Sequence, residues 1–437
     1  MSLNKKETNH VSIITLGCSK NTVDSEALLR QLDAAGLNTS HDEGETSART
    51  VVINTCGFIG DAKQQSIETI LQFAKAKSDG KIDKLIVMGC LSQRYRDELM
   101  AEIPEADAWF GVDEPEAITR FLGVDYKKEL VGERVLSTPK HFAYLKIAEG
   151  CDRSCSFCAI PLIRGKHVSR SIESLMEEAR KLASKGVQEL ILISQDLTFY
   201  GIDIYKKQMI TELVRQLSDS GLFNWIRLHY LFPTSFPKDL LPLMRERENI
   251  CNYIDIPLQH VNSRILKSMQ RGLTSPETQQ LIDRFREELP DAVIRTSFIV
   301  GYPGETEDEF EELIAFIKHN RFDRVGVFTY SHEEGTNAYT LVDDIPEEIK
   351  QERAGRLMEV QEQLSLEINE QLTGCQFKVL VDHAEGDFWI ARTQYDSPEV
   401  DNEVLIDRKY KFIKPGQFYQ VRIDRVEQFD LFGTPVV

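Results

Sequence analysis

The sequence predicts an α/β chain in three parts: an amino-terminal parallel sheet of Rossmann or flavodoxin-like type, a central partial (β/α)6 barrel, and a small antiparallel β-barrel at the carboxyl end. Three observations predict it. Apolar runs alternate with helical patterns up to about residue 135, the mark of a parallel sheet covered on both faces. Six further β/α units then follow between Phe142 and Tyr330, which suits a full or partial barrel. Past Cys375 the rhythm changes to short alternating strands punctuated by Gly386, Pro398 and Gly416, as in a small barrel. The expected domains are 8–135, 137–374 and 375–437.

In the first domain, Val11 to Leu16, Val51 to Asn54 and Leu85 to Met88 read as buried strands, with helices near 22–35, 59–77 and 91–103. Each strand ends just before a cysteine: Cys18, Cys56 and Cys90. Ligands of open α/β sheets sit beyond the carboxyl ends of the strands, so three cysteines distant in sequence are expected on one rim.

A turn-rich stretch, Gly132 to Lys140, precedes the barrel. Its strands are expected at 143–148, 189–194, 224–230, 253–257, 293–300 and 324–330. Ile172, Leu175, Met176, Ala179, Leu182 and Ala183 mark one apolar helix face. Thr306 and Glu309 form a capping box opening a helix over 307–319. A long charged helix, 345–372, leads to the last domain. Its clearest strands are 377–381, 388–392, 404–406 and 418–426.

The chain of 437 residues is too long for one ordinary domain. With 41% hydrophobic and 28% charged residues it reads as a soluble globular protein. No apolar run approaches the roughly 18–20 residues of a membrane span, and Met1 to Asn9 is polar and lacks a secretion signal. The cytoplasm is the expected location, with no membrane partner. The net charge of −18 removes the overall basic footprint of a nucleic-acid binder. It favours a basic partner, or serves solubility alone.

Eight cysteines in a reducing compartment point to metal ligation or catalysis. The strongest motif is Cys151-Asp-Arg-Ser-Cys155-Ser-Phe-Cys158, just after the first barrel strand. Three thiolates at C-x3-C-x2-C can hold three irons of a cubane, leaving the fourth iron open, whereas ferredoxin-type carriers supply four. A zinc knuckle is the alternative. Cys18, Cys56 and Cys90 each stand beside a glycine (Gly17, Gly57, Gly89), which suits close approach of the backbone to a bulky inorganic core. Cys251 and Cys375 have no ligand-like neighbours and read as structural.

The C-x3-C-x2-C motif with Phe157 before its last cysteine resembles the radical S-adenosylmethionine superfamily. With the three amino-terminal cysteines included, the pattern resembles the methylthiotransferase family over nearly the whole chain. That resemblance implies a radical barrel, a carboxyl-terminal TRAM barrel and two [4Fe-4S] clusters, one on Cys151, Cys155 and Cys158 and an auxiliary one on Cys18, Cys56 and Cys90. It implies S-adenosylmethionine as cofactor, an electron donor and a sulfur donor. No side chain is expected to act as catalytic acid or base. Phe157, Gln195, Asp196, Gln259 and Gly301 are expected at the cofactor, with Ser194, His260 and Gly304 beside them at the rim.

Family members modify an adenosine in transfer RNA or an aspartate in a small-subunit ribosomal protein. Val23-Asp-Ser-Glu26, Ile53-Asn-Thr-Cys56-Gly-Phe-Ile59, Phe142 to Cys151 and Cys158 to Lys166 resemble the ribosomal-protein branch, which implies β-methylthiolation of an aspartate in the twelfth protein of the small subunit. Charge gives an independent argument. Residues 375–437 hold eight Lys and Arg against eleven Asp and Glu, a net charge of −3. That is a poor phosphate cradle and suits a basic protein substrate, while contact with RNA stays open. The rival readings are the transfer RNA reaction and a non-catalytic iron–sulfur RNA-binding protein.

Overall fold

The computed structural model describes residues 10–42 and 48–436. The polar start and the expected boundary at residue 8 lie outside the described residues.

The first domain is built from β1 (His10–Thr15), α1 (Ser19–Ala34), β2 (Asn38–His41), β3 (Thr50–Thr55), α2 (Gly60–Ser78), β4 (Lys84–Gly89), α3 (Cys90–Glu102), β5 (Ala108–Trp109) and α4 (Pro115–Phe121). Its strands are all parallel in the order β2-β1-β3-β4-β5. Alternation along each strand divides the core between two faces. Val51, Ile53, Leu85 and Val87 pack on Ile70 and Phe73 of α2. Val11, Ile13, Val52 and Ile86 pack on Leu28, Leu29 and Leu32 of α1. The sequence reading did not include β2, β5 or α4. Strand β2 is a polar edge strand, Asn-Thr-Ser-His, so no apolar run announces it.

The central domain follows with β6 (Phe142–Lys146), β7 (Ala148–Glu149), α5 (Ile160–Arg164), β8 (Val168–Ser169), α6 (Ile172–Ser184), β9 (Glu189–Ile193), α7 (Ile202–Tyr205), α8 (Ile210–Asp219), β10 (Trp225–Leu228), α9 (Leu240–Glu246), β11 (Tyr253–Asp255), α10 (Ser263–Ser268), α11 (Ser275–Glu288), β12 (Val293–Val300), α12 (Glu307–Asn320) and β13 (Arg324–Thr329). Six parallel strands form two sheets, β10-β9-β6 and β11-β12-β13. An Ile226–Ile250 bridge links them, giving an open arc rather than a closed barrel. The amphipathic face of α6 packs inward as expected, except that Ala183 is only half-buried. The Thr306–Glu309 capping box is present, with Thr306 N–H donating to Glu309 at 2.9 Å.

Helix α13 (Glu347–Glu370) lies against the arc through Leu357 and Leu364. It also carries the last domain, since Asn369 donates to Glu427 O at 2.8 Å. That domain comprises β14 (Gln376–Glu385), β15 (Phe388–Thr393), β16 (Glu403–Asp407), β17 (Phe418–Val426) and β18 (Asp430–Pro435), closed in the order β14-β15-β16-β18-β17. One detail departs from an antiparallel barrel: β16 and β18 are parallel. A closed ring with an odd number of strands cannot alternate throughout, so one like-directed pair is geometrically required.

The barrels are joined by buried charge. Arg392 of β15 pairs with Glu189 of β9 at 2.7 Å, and Glu189 pairs with Arg227 of β10 at 2.7 Å. In the loop after β15, Asp401 accepts from the Tyr253 hydroxyl at 2.6 Å and Asp396 pairs with Arg324 at 2.7 Å.

Candidate metal centre

The chain passes from β1 out to β2 and returns to β3 on the other side of β1, so the strand order reverses between β1 and β3. Crevices form beyond the carboxyl ends at such a reversal. Cys18 precedes α1, Cys56 follows β3, and Cys90 opens α3 after β4. The three thiols are within electrostatic reach of one another. Burial pushes Cys90 up to about 12, with Cys18 and Cys56 adding to the rise and Arg164 opposing it. Burial likewise raises Cys56, with Cys18 contributing.

The glycines beside these cysteines stand at close contacts between the loops themselves. A Cβ on Gly17 would stand 2.8 Å from Cys56 Cβ, and one on Gly57 would stand 2.7 Å from the Leu91 backbone. On Gly89, whose φ is +99°, a Cβ would lie 2.7 Å from Thr55 O. The glycines therefore let the three strand-end loops approach each other.

The second set lies beyond β6 of the arc. Its loop is pinned by the protein itself: Cys151 N–H donates to Gly165 O at 3.1 Å, and Ser156 N–H donates to Met269 O at 3.0 Å. Arg153 N–H donates to Cys151 Sγ at 3.4 Å, and Arg271 Nη1 to Cys155 Sγ at 3.2 Å. Burial pushes Cys151 up to about 11 and Cys158 up to about 12, and the neighbouring thiols add to both rises. Phe157 packs among Ile265, Met269, Tyr302, Tyr330 and Ala338.

All eight cysteines are free. Among the described residues no three His, Cys, Asp or Glu side chains converge tightly enough for one metal ion. The thiols of each set repel one another when ionised, and a polycationic core would hold them in that state.

The other rim residues divide into two groups. Ser194 Oγ and Gln195 Oε1 are buried without a hydrogen-bond partner, which leaves polar atoms for a polar ligand to satisfy, whereas His260 Nε2 faces the buried Glu305 carboxylate at 3.6 Å. The rest have protein partners. Asp196 accepts from Thr198 N–H at 2.8 Å and pairs with Arg153 at 2.8 Å. Gln259 has a left-handed backbone, φ +76°, and bridges to β12 through its main chain. Gly301 has φ +72°, and its missing Cβ makes room for Lys350. The Gly301–Gly304 turn is held by buried Glu305, which accepts from Gly301 N–H at 3.0 Å and pairs with Arg353 of α13 at 2.8 Å. Cys251 is buried among Trp225, Tyr253 and Leu380. Cys375 is exposed, so packing does not explain it.

Sequence reasoning missed the residues that bring the two sets together. Arg164 pairs with Asp24 at 3.2 Å and Glu149 at 2.9 Å, and donates to Asn21 at 2.6 Å and Cys90 Sγ at 3.5 Å. Lys146 pairs with the same Asp24 and with Glu149 at 2.6 Å. Burial opposes the charge on Glu149, but Lys146 and Arg164 hold its carboxyl well below the usual range. On the opposite side, Glu333 pairs with Arg94 at 2.7 Å and Lys63 at 2.9 Å. The first domain is thus clamped over the open end of the arc, with both cysteine sets at one interface.

Three family models match in chain order: an uncharacterised protein family, UPF0004, over residues 10–111, the radical SAM superfamily over 145–317, and the TRAM domain over 373–436. A curated relative from Christiangramia forsetii is 54% identical, covering 98% of this chain and 94% of its own, and is called ribosomal protein uS12 methylthiotransferase RimO. A relative of the same name from Cytophaga hutchinsonii is 53% identical, covering 100% of both chains. Among solved structures, the radical S-adenosylmethionine methyltransferase TsrM from Kitasatospora setae matches with a TM-score of 0.53 at 14% identity, covering 86% of this chain and 79% of its own. That likeness is one of fold. The superfamily match implies S-adenosylmethionine and a [4Fe-4S] cluster.

Proposed function

The chain belongs to the RimO family of ribosomal protein uS12 methylthiotransferases, and on that premise we propose that it attaches a methylthio group to the β-carbon of an aspartate in uS12. The observation that carries this reading is the meeting of two three-cysteine sets at one interface in a chain more than half identical to such enzymes.

Cys151, Cys155 and Cys158 would hold the [4Fe-4S] cluster that binds S-adenosylmethionine, and Cys18, Cys56 and Cys90 a second cluster. When bound, the first supplies one-electron cleavage of the sulfonium, and so hydrogen abstraction from an unactivated C–H bond, while the second carries the sulfur to be inserted. The chain's own residues orient and tune. Arg153 N–H and Arg271 donate to the thiolates of the first set, and Arg164 donates to Cys90 of the second. Such N–H···S bonds stabilise thiolate charge and shift the potential. Ser194 and Gln195 offer unsatisfied polar atoms to the cofactor. Phe157, Gln259 and Gly301 shape the wall around it, and Asp196 acts by fixing Arg153. No side chain acts as nucleophile on the substrate.

The test is a pair of variants assayed anaerobically after reconstitution. Cys155→Ala is expected to release no 5′-deoxyadenosine. Cys56→Ala is expected to keep that release and to leave uS12 unmodified. Full methylthiolation by Cys56→Ala would contradict the second cluster. Modification of transfer RNA with uS12 untouched would contradict the substrate.

A further inference from the structure

Lys20 lies in the first turn of α1, two residues beyond Cys18, and only 7% of it is exposed. Arg164 pairs with Asp24, Arg153 with Asp196 and Arg295 with Asp255. Lys20 has no ion pair or hydrogen bond among the described residues. Its ammonium rests instead on the ring of Tyr230, 3.1 Å from the centroid. The side chain is largely enclosed while its charged head has no anion, and a π-face compensates that charge only in part.

Tyr230 is held in place for this contact. It sits just beyond β10 with a left-handed backbone, φ +63°, an outlier for a bulky residue. Its N–H donates to Asp255 at 2.9 Å, and its carbonyl accepts from Leu197 N–H at 3.0 Å. Strain of this kind persists where surrounding structure enforces it, and it gathers at ligand sites. Burial, then the charges of Arg227, Arg295 and Lys20, push the neighbouring His229 well below its usual range. The imidazole therefore stays neutral and does not compete with Lys20 for an anion.

We propose that Lys20, presented by Tyr230 two residues beyond Cys18, binds the side-chain carboxylate of the substrate aspartate and so places its β-carbon for reaction. The β-carbon is bonded directly to that carboxylate, so one charge-assisted contact fixes the reacting atom. The inference rests on the functional reading above. A target adenine base carries no carboxylate for this contact to place.

The experiment compares uS12 with a uS12 variant in which the target aspartate is asparagine, binding each to the reconstituted enzyme and to its Lys20→Met and Lys20→Arg variants. Unaltered enzyme is expected to prefer the aspartate protein by about ten-fold or more. Lys20→Met should lose that preference and raise KM for uS12 more than it lowers kcat, while Lys20→Arg restores most of both. S-adenosylmethionine affinity should be unchanged in all three. A preference retained by Lys20→Met, or a change confined to S-adenosylmethionine affinity, would overturn the proposal alone. Absence of any uS12 adduct from the unaltered enzyme would overturn the functional reading and the proposal with it.

Discussion

A single guanidinium, that of Arg164, touches Cys90 of one cysteine set from a segment that begins at Cys158 of the other. Replacing it with alanine leaves Asp24 and Glu149 sharing Lys146 as their one cation among the described residues, at an interface where the Arg164 side chain is 3% exposed. We expect Arg164→Ala to cost about 3 kcal/mol, the low end for a broken buried pair because Glu149 is partly solvated; urea unfolding measures it. The pH dependence has a definite sign. The folded carboxyl of Glu149 titrates below its unfolded value, so its contribution is complete above the ordinary carboxylate range, roughly 4.3, and is lost as pH falls through the depressed folded value. Stability should therefore fall on acidification in that window, and less steeply in Arg164→Ala. A steeper fall in the variant would contradict the assignment. Cys151, Cys155 and Cys158 stood out in the sequence because their fixed spacing is chemically unusual, and Cys18, Cys56 and Cys90 because each follows a strand end beside a glycine. Lys20 and Arg164 were not, because a lone cation in a sequence has the same appearance whether solvated or buried.

At the scale of elements, the loops at the ends of β1, β3 and β4 meet through glycine. Gly57→Ala would force its Cβ to 2.7 Å from the Leu91 backbone, and backbone cannot yield as a flexible side chain can. We expect this variant to fall from about eight irons per chain to about four, because only the Cys18, Cys56 and Cys90 set is displaced. Iron and sulfide analysis reads the result; an unchanged count would show that the loops can part. At α12, Thr306→Ala removes a cap and should cost about 1 kcal/mol, seen as a lowered urea midpoint. Strands β3 and β4 and the capping box were readable from apolar runs and from fixed offsets. The edge strand β2 was not, since one neighbour and partial exposure ask little of its side chains. The reason for the glycines was also hidden, because it lies in contacts between segments more than 30 residues apart.

At the scale of the molecule, three domains act as one body because their interfaces are buried and charged. Arg392 bridges Asp382 of its own barrel and Glu189 of the arc. Arg392→Ala should leave Glu189 with Arg227 alone and loosen the last domain, turning a single calorimetric transition into two. One shared transition at an unchanged midpoint would contradict that coupling. Domain order was legible from the change of periodicity near residue 375, and the parallel β16–β18 pair was not, since it follows from strand number rather than from any local pattern. The central claim is that two cysteine-held clusters at one interface serve an aspartate of uS12. Its most direct test is anaerobic incubation of the reconstituted protein with S-adenosylmethionine, a reductant and uS12, followed by tandem mass spectrometry. A methylthio group on one aspartate, absent when that residue is asparagine, is the predicted result. A fully loaded enzyme that releases 5′-deoxyadenosine, leaves uS12 unmodified and thiolates a transfer RNA nucleoside would contradict it.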